Sequence, residues 1–242
     1  MKNEVTVVIP TLNEERFLAR CLASLERQTL PPREVIVVDG GSRDGTLEIA
    51  WDFGARVIQI KEKGIARARH IGFESARTPF IASTDADAVV PKNWLEELVL
   101  PFKDRSVVGT FGPLRFKEDG LDFVGEALTL VQRLSLLLRI PVFYGPNFAV
   151  RKEAFLRVDG FLEPGGDFPK GYPEADDLLI GLKLGRVGRV VFLPRLRVLA
   201  SPRKLDFKGI IRNLCLYPVR DARILYWHLT GKLVKGTGHG RG

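Results

Sequence analysis

The sequence predicts an α/β fold built on a mixed, mostly parallel sheet flanked by helices. Short, continuously apolar, β-branched runs recur through the first half of the chain, and amphipathic stretches of helical length separate them. Strands without polar alternation are what a parallel sheet needs when helices cover both of its faces. A third observation concerns organisation: the 242 residues contain no internal repeat and no flexible linker, so one continuous globular unit is expected.

The elements follow in order. Val5-Thr6-Val7-Val8-Ile9 reads as the first strand, followed by a helix from about Glu14 to Gln28. Val35-Ile36-Val37-Val38 is the second strand, then a helix near Thr46 to Phe53, a strand from Arg56 to Ile60, a helix from Ile65 to Ala76 and the strand Phe80 to Ser83. This is a βαβ rhythm. Pro91 stands at a plausible start for a helix over Trp94 to Phe102, and a strand is expected over Ser106 to Thr110. Beyond this point the rhythm becomes irregular. Gly145 to Val150, a helix from Ala175 to Leu184 and a strand from Arg189 to Leu193 read as a lobe extending the same sheet.

Composition narrows the function classes. A formal charge of +8 favours anionic partners: nucleotide diphosphates, acidic lipid headgroups or nucleic acid. No recognisable nucleic-acid-binding module accompanies the charge, so nucleic acid is not expected as a partner. Cys21 and Cys215 are far apart and form neither a metal-ligand spacing nor a disulfide framework. A reducing, cytoplasmic setting is the simplest expectation, and the first residues, Met1-Lys2-Asn3-Glu4, do not read as a signal peptide. The most apolar stretch, Leu128 to Tyr144, is interrupted by Arg133, Arg139 and Pro141 and falls short of the ~20 apolar residues of a membrane span.

Three polar clusters fall at strand ends, where open α/β sheets bind ligands. Pro10-Thr11-Leu12-Asn13-Glu14 follows the first strand and Asp39-Gly40-Gly41-Ser42-Arg43-Asp44-Gly45 the second. Thr84-Asp85-Ala86-Asp87 follows Phe80 to Ser83 and sets two carboxylates two residues apart, on one side of an extended segment. Hard cations such as Mg²⁺ or Mn²⁺ favour oxygen ligands shared between carboxylates and substrate phosphates, which points to a nucleotide diphosphate. Neither a G-x-G-x-x-G turn nor a Gly-Lys-Ser/Thr phosphate loop is present, so the dinucleotide-binding and phosphate-loop classes are disfavoured. Near the other end, Glu174-Ala175-Asp176-Asp177 supplies carboxylates suited to general-base chemistry.

Val7-Val8-Ile9-Pro10-Thr11-Leu12-Asn13-Glu14, Val37-Val38-Asp39-Gly40-Gly41-Ser42-Arg43-Asp44-Gly45-Thr46 and Asp85-Ala86-Asp87 resemble the signature of inverting family 2 glycosyltransferases with the GT-A fold. The resemblance continues through Gly64 to Arg69, Gly145-Pro146-Asn147-Phe148-Ala149-Val150 and Gly160-Phe161, covering roughly residues 4 to 195. It implies a GT-A catalytic domain over 1–204, divided into a nucleotide-binding half (1–112) and an acceptor-binding half (113–204). A helical extension (205–235) and a disordered tail (236–242) complete the expected layout.

By the same resemblance, Pro10, Thr11, Asn13, Glu14 and Asp39 cradle the base of the donor, Arg69 lies near base and diphosphate, Asp85 faces the ribose, Ala86 is counted with the nucleotide-sugar-binding residues, and Asp87 binds the divalent metal, Mn²⁺ or Mg²⁺. Asp177 is the implied catalytic base, followed at the family's spacing by Lys183, with Asp176 in place of a Glu. Glu174, Asp176 and Arg203 are candidates for acceptor or diphosphate contacts. His70 stands where the family often has Asn and is read as structural.

The implied activity is metal-dependent, inverting transfer of one sugar from a UDP- or GDP-sugar to a hydroxyl or polyprenyl-phosphate acceptor. The processive Gln-x-x-Arg-Trp pattern is missing. A non-catalytic nucleotide-sugar binding protein is the alternative. The segment Phe207 to Lys235 mixes apolar and basic residues, which suits either a helix pair packed on the domain or on a second subunit of a homodimer, or peripheral contact with an anionic membrane.

Overall fold

The computed structural model describes residues 4–116, 122–137, 139–163, 166–168, 176–201, 226 and 230. Seven strands form the main sheet: β1 (Val5–Thr11), β2 (Glu34–Asp39), β3 (Arg56–Gln59), β4 (Phe80–Ser83), β5 (Val107–Phe111), β7 (Phe148–Arg151) and β8 (Arg189–Phe192). Their order is β3-β2-β1-β4-β7-β5-β8. All pairings are parallel except those of β7, which runs antiparallel between β4 and β5. A second, two-stranded parallel sheet joins β6 (Leu114–Phe116) to β9 (Val198–Ala200).

Strand alternation explains the two-sided core. Val5, Val7 and Ile9 of β1, Val35 and Val37 of β2 and Ala82 of β4 pack with Leu18, Cys21, Leu22 and Leu25 of α1 (Glu15–Glu26) and Trp94, Leu95 and Leu98 of α4 (Trp94–Val99). Val8, Ile36, Val38 and Ile81 point the other way, into a core with Ala66 and Phe73 of α3 (Ile65–Ser75) and Phe155 of α6 (Lys152–Arg157). Ile180 and Leu184 of α7 (Asp176–Gly185) join that second core. Each strand thus feeds two cores, which is why its polar positions are so few. Between β2 and β3 the chain forms α2 (Thr46–Asp52). On α3, a Cβ at Gly72 would fall 2.4 Å from Val8 Cγ1 and 3.0 Å from Val38 Cγ2. A bare glycine lets the helix lie this close to the sheet, and it brings Arg69, one turn earlier, over the strand ends.

Pro10 sits inside a central strand, a place proline usually avoids because it cannot donate to the ladder. The register removes the conflict. Val8 O accepts from Thr84 N–H while Val5 O accepts from Arg33 N–H, so even-numbered residues of β1 face β4. The last β1–β4 pair is Val8 with Ser83, whereas β2 continues alongside to Thr11. Pro10 therefore faces the point where β4 has ended, and the crevice beside it opens at the topological switch between β1 and β4.

The strands and helices of the first half lie where the sequence predicts them, with ends shifted by a residue or two. Four elements were not anticipated. They are β6, α5 (Asp122–Leu137), α6 and β9, all in the stretch where the rhythm was read as irregular. The predicted helix over Trp94 to Phe102 divides into α4 and a 3₁₀ turn over Leu100–Lys103. The expected extension over 205–235 and the tail lie outside the described residues, apart from Tyr226 and Thr230.

Candidate active site

The loops after β1 and β2 are stitched into one platform. Gly40 N–H donates to Thr11 O at 2.9 Å, Asn13 N–H to Ser42 Oγ at 2.8 Å, and Arg43 N–H back to Asn13 Oδ1 at 2.9 Å. Glu14 N–H donates to Thr46 Oγ1 at 2.8 Å, and Gly45 N–H to Glu15 Oε2 at 2.8 Å. Asn13 adopts a positive φ of 55°, a conformation Asn tolerates better than most residues. Asp39 is fully buried. Its Oδ2 accepts from Gly41 N–H and Ser42 N–H, both at 2.9 Å, and its Oδ1 from Thr11 Oγ1 at 3.2 Å and from the Ser42 hydroxyl. A carboxylate offers about four lone-pair sites, so Asp39 anchors the glycine-rich loop beside which any base would lie. Thr11 is buried, Asn13 exposed and Glu14 half-buried. Ser42, Asp44 and Thr46 are structural members of this platform that were not singled out beforehand, although they stand inside the motif already marked.

At the end of β4, Asp85 accepts a 2.5 Å bond from Arg69 Nη2, a buried guanidinium. Ala86 is buried, and Asp87 is 7% exposed. Below them the Cys21 thiol donates to Asp85 O at 3.3 Å. Burial, reinforced by the carboxylates of Asp85, Asp87 and Glu14, pushes that thiol well up from its ordinary value. The three carboxylates thus lie within electrostatic reach of one buried thiol. Among the described residues no three His, Cys, Asp or Glu side chains form a metal cage. The donor set is nonetheless carboxylate oxygen, with Asp85 already engaged by Arg69. It suits a hard cation held by one or two carboxylates and completed by water and substrate phosphates.

A single glycine joins this strand end to the carboxylate at the start of α7. Gly145 N–H donates to Asp177 Oδ2 at 3.3 Å, and Asp177 Oδ1 accepts from Leu178 N–H at 2.9 Å. On its other side Gly145 abuts Arg69: a Cβ there would fall 2.1 Å from Nη2 and 2.7 Å from Cζ. Arg69, Asp85, Gly145 and Asp177 are thus brought together from four separate segments. Gly145 is a site residue the sequence reading did not single out; the Gly-Pro-Asn run around it was the available signal. Asn147 fixes the same turn by accepting from Trp94 Nε1 at 2.9 Å and donating to Pro113 O at 2.9 Å and Leu196 O at 2.7 Å. Tyr144 lies alongside, its hydroxyl bonded to Leu128 O at 3.2 Å and raised in pKa by burial and then by Asp177.

Gly145→Ala is expected to force the Arg69 guanidinium away from Asp85. Losing a charged hydrogen bond of this kind costs about 1.5–3 kcal/mol, so donor affinity should fall about tenfold or more with kcat less affected. A donor KM equal to that of the wild type would show that Arg69 keeps its pair by another route.

Behind the site, Lys183 of α7 donates through Nζ to Gly160 O at 2.8 Å and Leu162 O at 2.9 Å. His70 accepts from Phe161 N–H at 3.3 Å and meets Glu74 at 3.2 Å, so it pins α3 to the same turn. Burial pushes Lys183 down to about 8, partly opposed by Asp159. The unfolded lysine titrates near 10.4, so between these values the unfolded chain binds more protons and stability rises with pH. The contribution is complete above about 10.4 and is lost as pH falls through about 8. Thermal unfolding of wild type against Lys183→Met across this window should show the steeper rise in the wild type; parallel curves would refute the assignment. Asp176 begins α7, but its side chain is outside the described residues, as are Glu174 and Arg203.

The family model described as "Glycosyl transferase family 2" matches residues 6–158. The chain belongs to glycosyltransferase family 2. A similar curated relative, glycosyltransferase GlyG of Streptococcus pneumoniae serotype 4, is 30% identical over 180 residues, covering 65% of this chain and 60% of the relative. Glycosyltransferase AglE of Haloferax volcanii is 37% identical over 100 residues, 38% of this chain and 33% of the relative. The matches thus span one third and three fifths of those relatives' lengths. Among solved structures, a mannosyltransferase from Pyrobaculum calidifontis in complex with GDP-Man and Mn²⁺ superposes with a TM-score of 0.69 at 24% identity. The match covers 94% of this chain and 63% of that one. This likeness shows that the family 2 chain has the GT-A fold.

Proposed function

We propose that this glycosyltransferase is metal-dependent and inverting, and that it moves one sugar at a time from a UDP- or GDP-sugar to a hydroxyl or lipid-phosphate acceptor. The observation that carries this reading is the Asp85–Arg69–Gly145–Asp177 cluster, which links a strand-end carboxylate, through Arg69 and Gly145, to a carboxylate suited to proton transfer. The stitched loops around Asp39 and Asn13 shape the nucleoside pocket, and Arg69 supplies positive charge beside Asp85. Asp87 would hold Mn²⁺ or Mg²⁺, which when bound offsets charge on the departing diphosphate. Asp177, oriented by Gly145 N–H and Leu178 N–H, takes the proton of the attacking hydroxyl. One carboxylate acting on the acceptor, with no protein nucleophile needed, supports single displacement and therefore inversion.

The test is thermal-shift titration with a panel of nucleotide sugars and either metal, since a ligand that binds only the folded state raises apparent stability. GDP-mannose and UDP-N-acetylglucosamine enter the panel because proteins of similar fold bind GDP-Man and UDP-GlcNAc. A metal-dependent shift followed by release of a sugar of inverted anomeric configuration is expected. No shift with any donor, or a retained configuration, would overturn the reading.

A further inference from the structure

Helix α5 carries an apolar face that the site does not use. Its inward face is built from Gly125, Thr129 and Gln132, all buried. There Gly125 abuts Leu114 O of β6, and Gln132 Nε2 donates to Val142 O at 2.9 Å. The opposite face presents Phe123, Leu130, Val131, Leu134 and Leu137, exposed by 70, 56, 51, 52 and 79%. Spacings of seven, eight, eleven and fourteen residues from Phe123 place these five on one helical stripe. Contiguous apolar patches of this kind mark interaction surfaces on soluble domains.

The charge around the stripe is basic. Arg133 borders it and Arg139 follows it, both exposed. Of the two acids on α5, Glu126 is paired with Arg197; the other is Asp122. Two protein occupants suit this surface poorly. The chain's own segment 207–235 carries Lys208, Arg212, Arg220, Arg223, Lys232 and Lys235 against Asp221, and a second copy brings the same +8 charge. Either would set cations against cations.

We propose that the stripe seats α5 on an anionic bilayer surface, with Phe123 and the leucines entering the headgroup boundary and Arg133 and Arg139 meeting lipid phosphates. No described helix is long and apolar enough to cross a membrane, so the contact is interfacial. Its consequence for the acceptor rests on the proposed transfer reaction. Leu128 O holds the Tyr144 hydroxyl, and Tyr144 leads into Gly145 and Asp177. A docked α5 is tied by this bond to the turn that contacts Asp177, which suits a lipid-linked phosphate acceptor held at the bilayer.

The full chain would be sedimented with phosphatidylcholine vesicles and with vesicles containing about a third phosphatidylglycerol, a fraction that gives a negative surface potential. Wild type should partition to the anionic vesicles only and be released by salt. Leu130→Ser with Leu134→Ser should weaken partitioning about tenfold or more, and Arg133→Glu should weaken it on anionic vesicles. UDP and GDP affinities should be unchanged in both variants, which also reports that they fold. Three outcomes would overturn the proposal: no vesicle binding by wild type, undiminished binding by the double leucine variant, or a wild-type dimer in solution that the double variant dissolves. Wild type that binds vesicles but no nucleotide sugar would instead defeat the transferase reading and leave the docking surface standing.

Discussion

Asp177→Asn is expected to bind nucleotide sugar as wild type does and to lose about 10²- to 10⁴-fold in transfer, the usual cost of removing a general base. Donor binding should survive because Asp85 keeps its own bond from Arg69 Nη2. The amide keeps the size of the side chain but cannot take the acceptor's proton. It also cannot accept from both Gly145 N–H and Leu178 N–H, which the carboxylate does, so its orientation should loosen as well. Donor hydrolysis, with water standing in for the acceptor, can be measured first, and transfer once an acceptor is known. Near-normal turnover by the variant would move the base to Asp176 or Glu174.

Asp87→Ala should abolish the metal-dependent part of nucleotide binding. Calorimetry with UDP and GDP in Mn²⁺ is expected to give the affinity that wild type shows in a chelator. Thermal unfolding of the variant checks the buried carboxylate for a structural duty of its own. Undiminished metal-dependent affinity would take Asp87 out of the metal site. A large loss of thermal stability would show that its carboxylate has such a duty.

By itself the sequence determined the strand and helix rhythm of the first half, the buried strands and the three polar clusters at their ends. Those features are local: β-branched runs, helical periodicity and loop-forming glycines act over a few residues, and each can be read without its partners. Tertiary structure decided the rest. Helix α5 escaped notice because it is apolar on both sides, with Leu128 and Leu136 packed inward and the exposed stripe outward, so no clean helical period survives. Strands β6 and β9 are three residues each, too short for alternation to register. The insertion of β7 between β4 and β5 depends on strand pairing across tens of residues. Gly145 was legible only as part of a turn, because its role is the absence of a side chain where the Arg69 guanidinium passes. That requirement is set by a residue 76 positions away and appears only once the chain has folded around it.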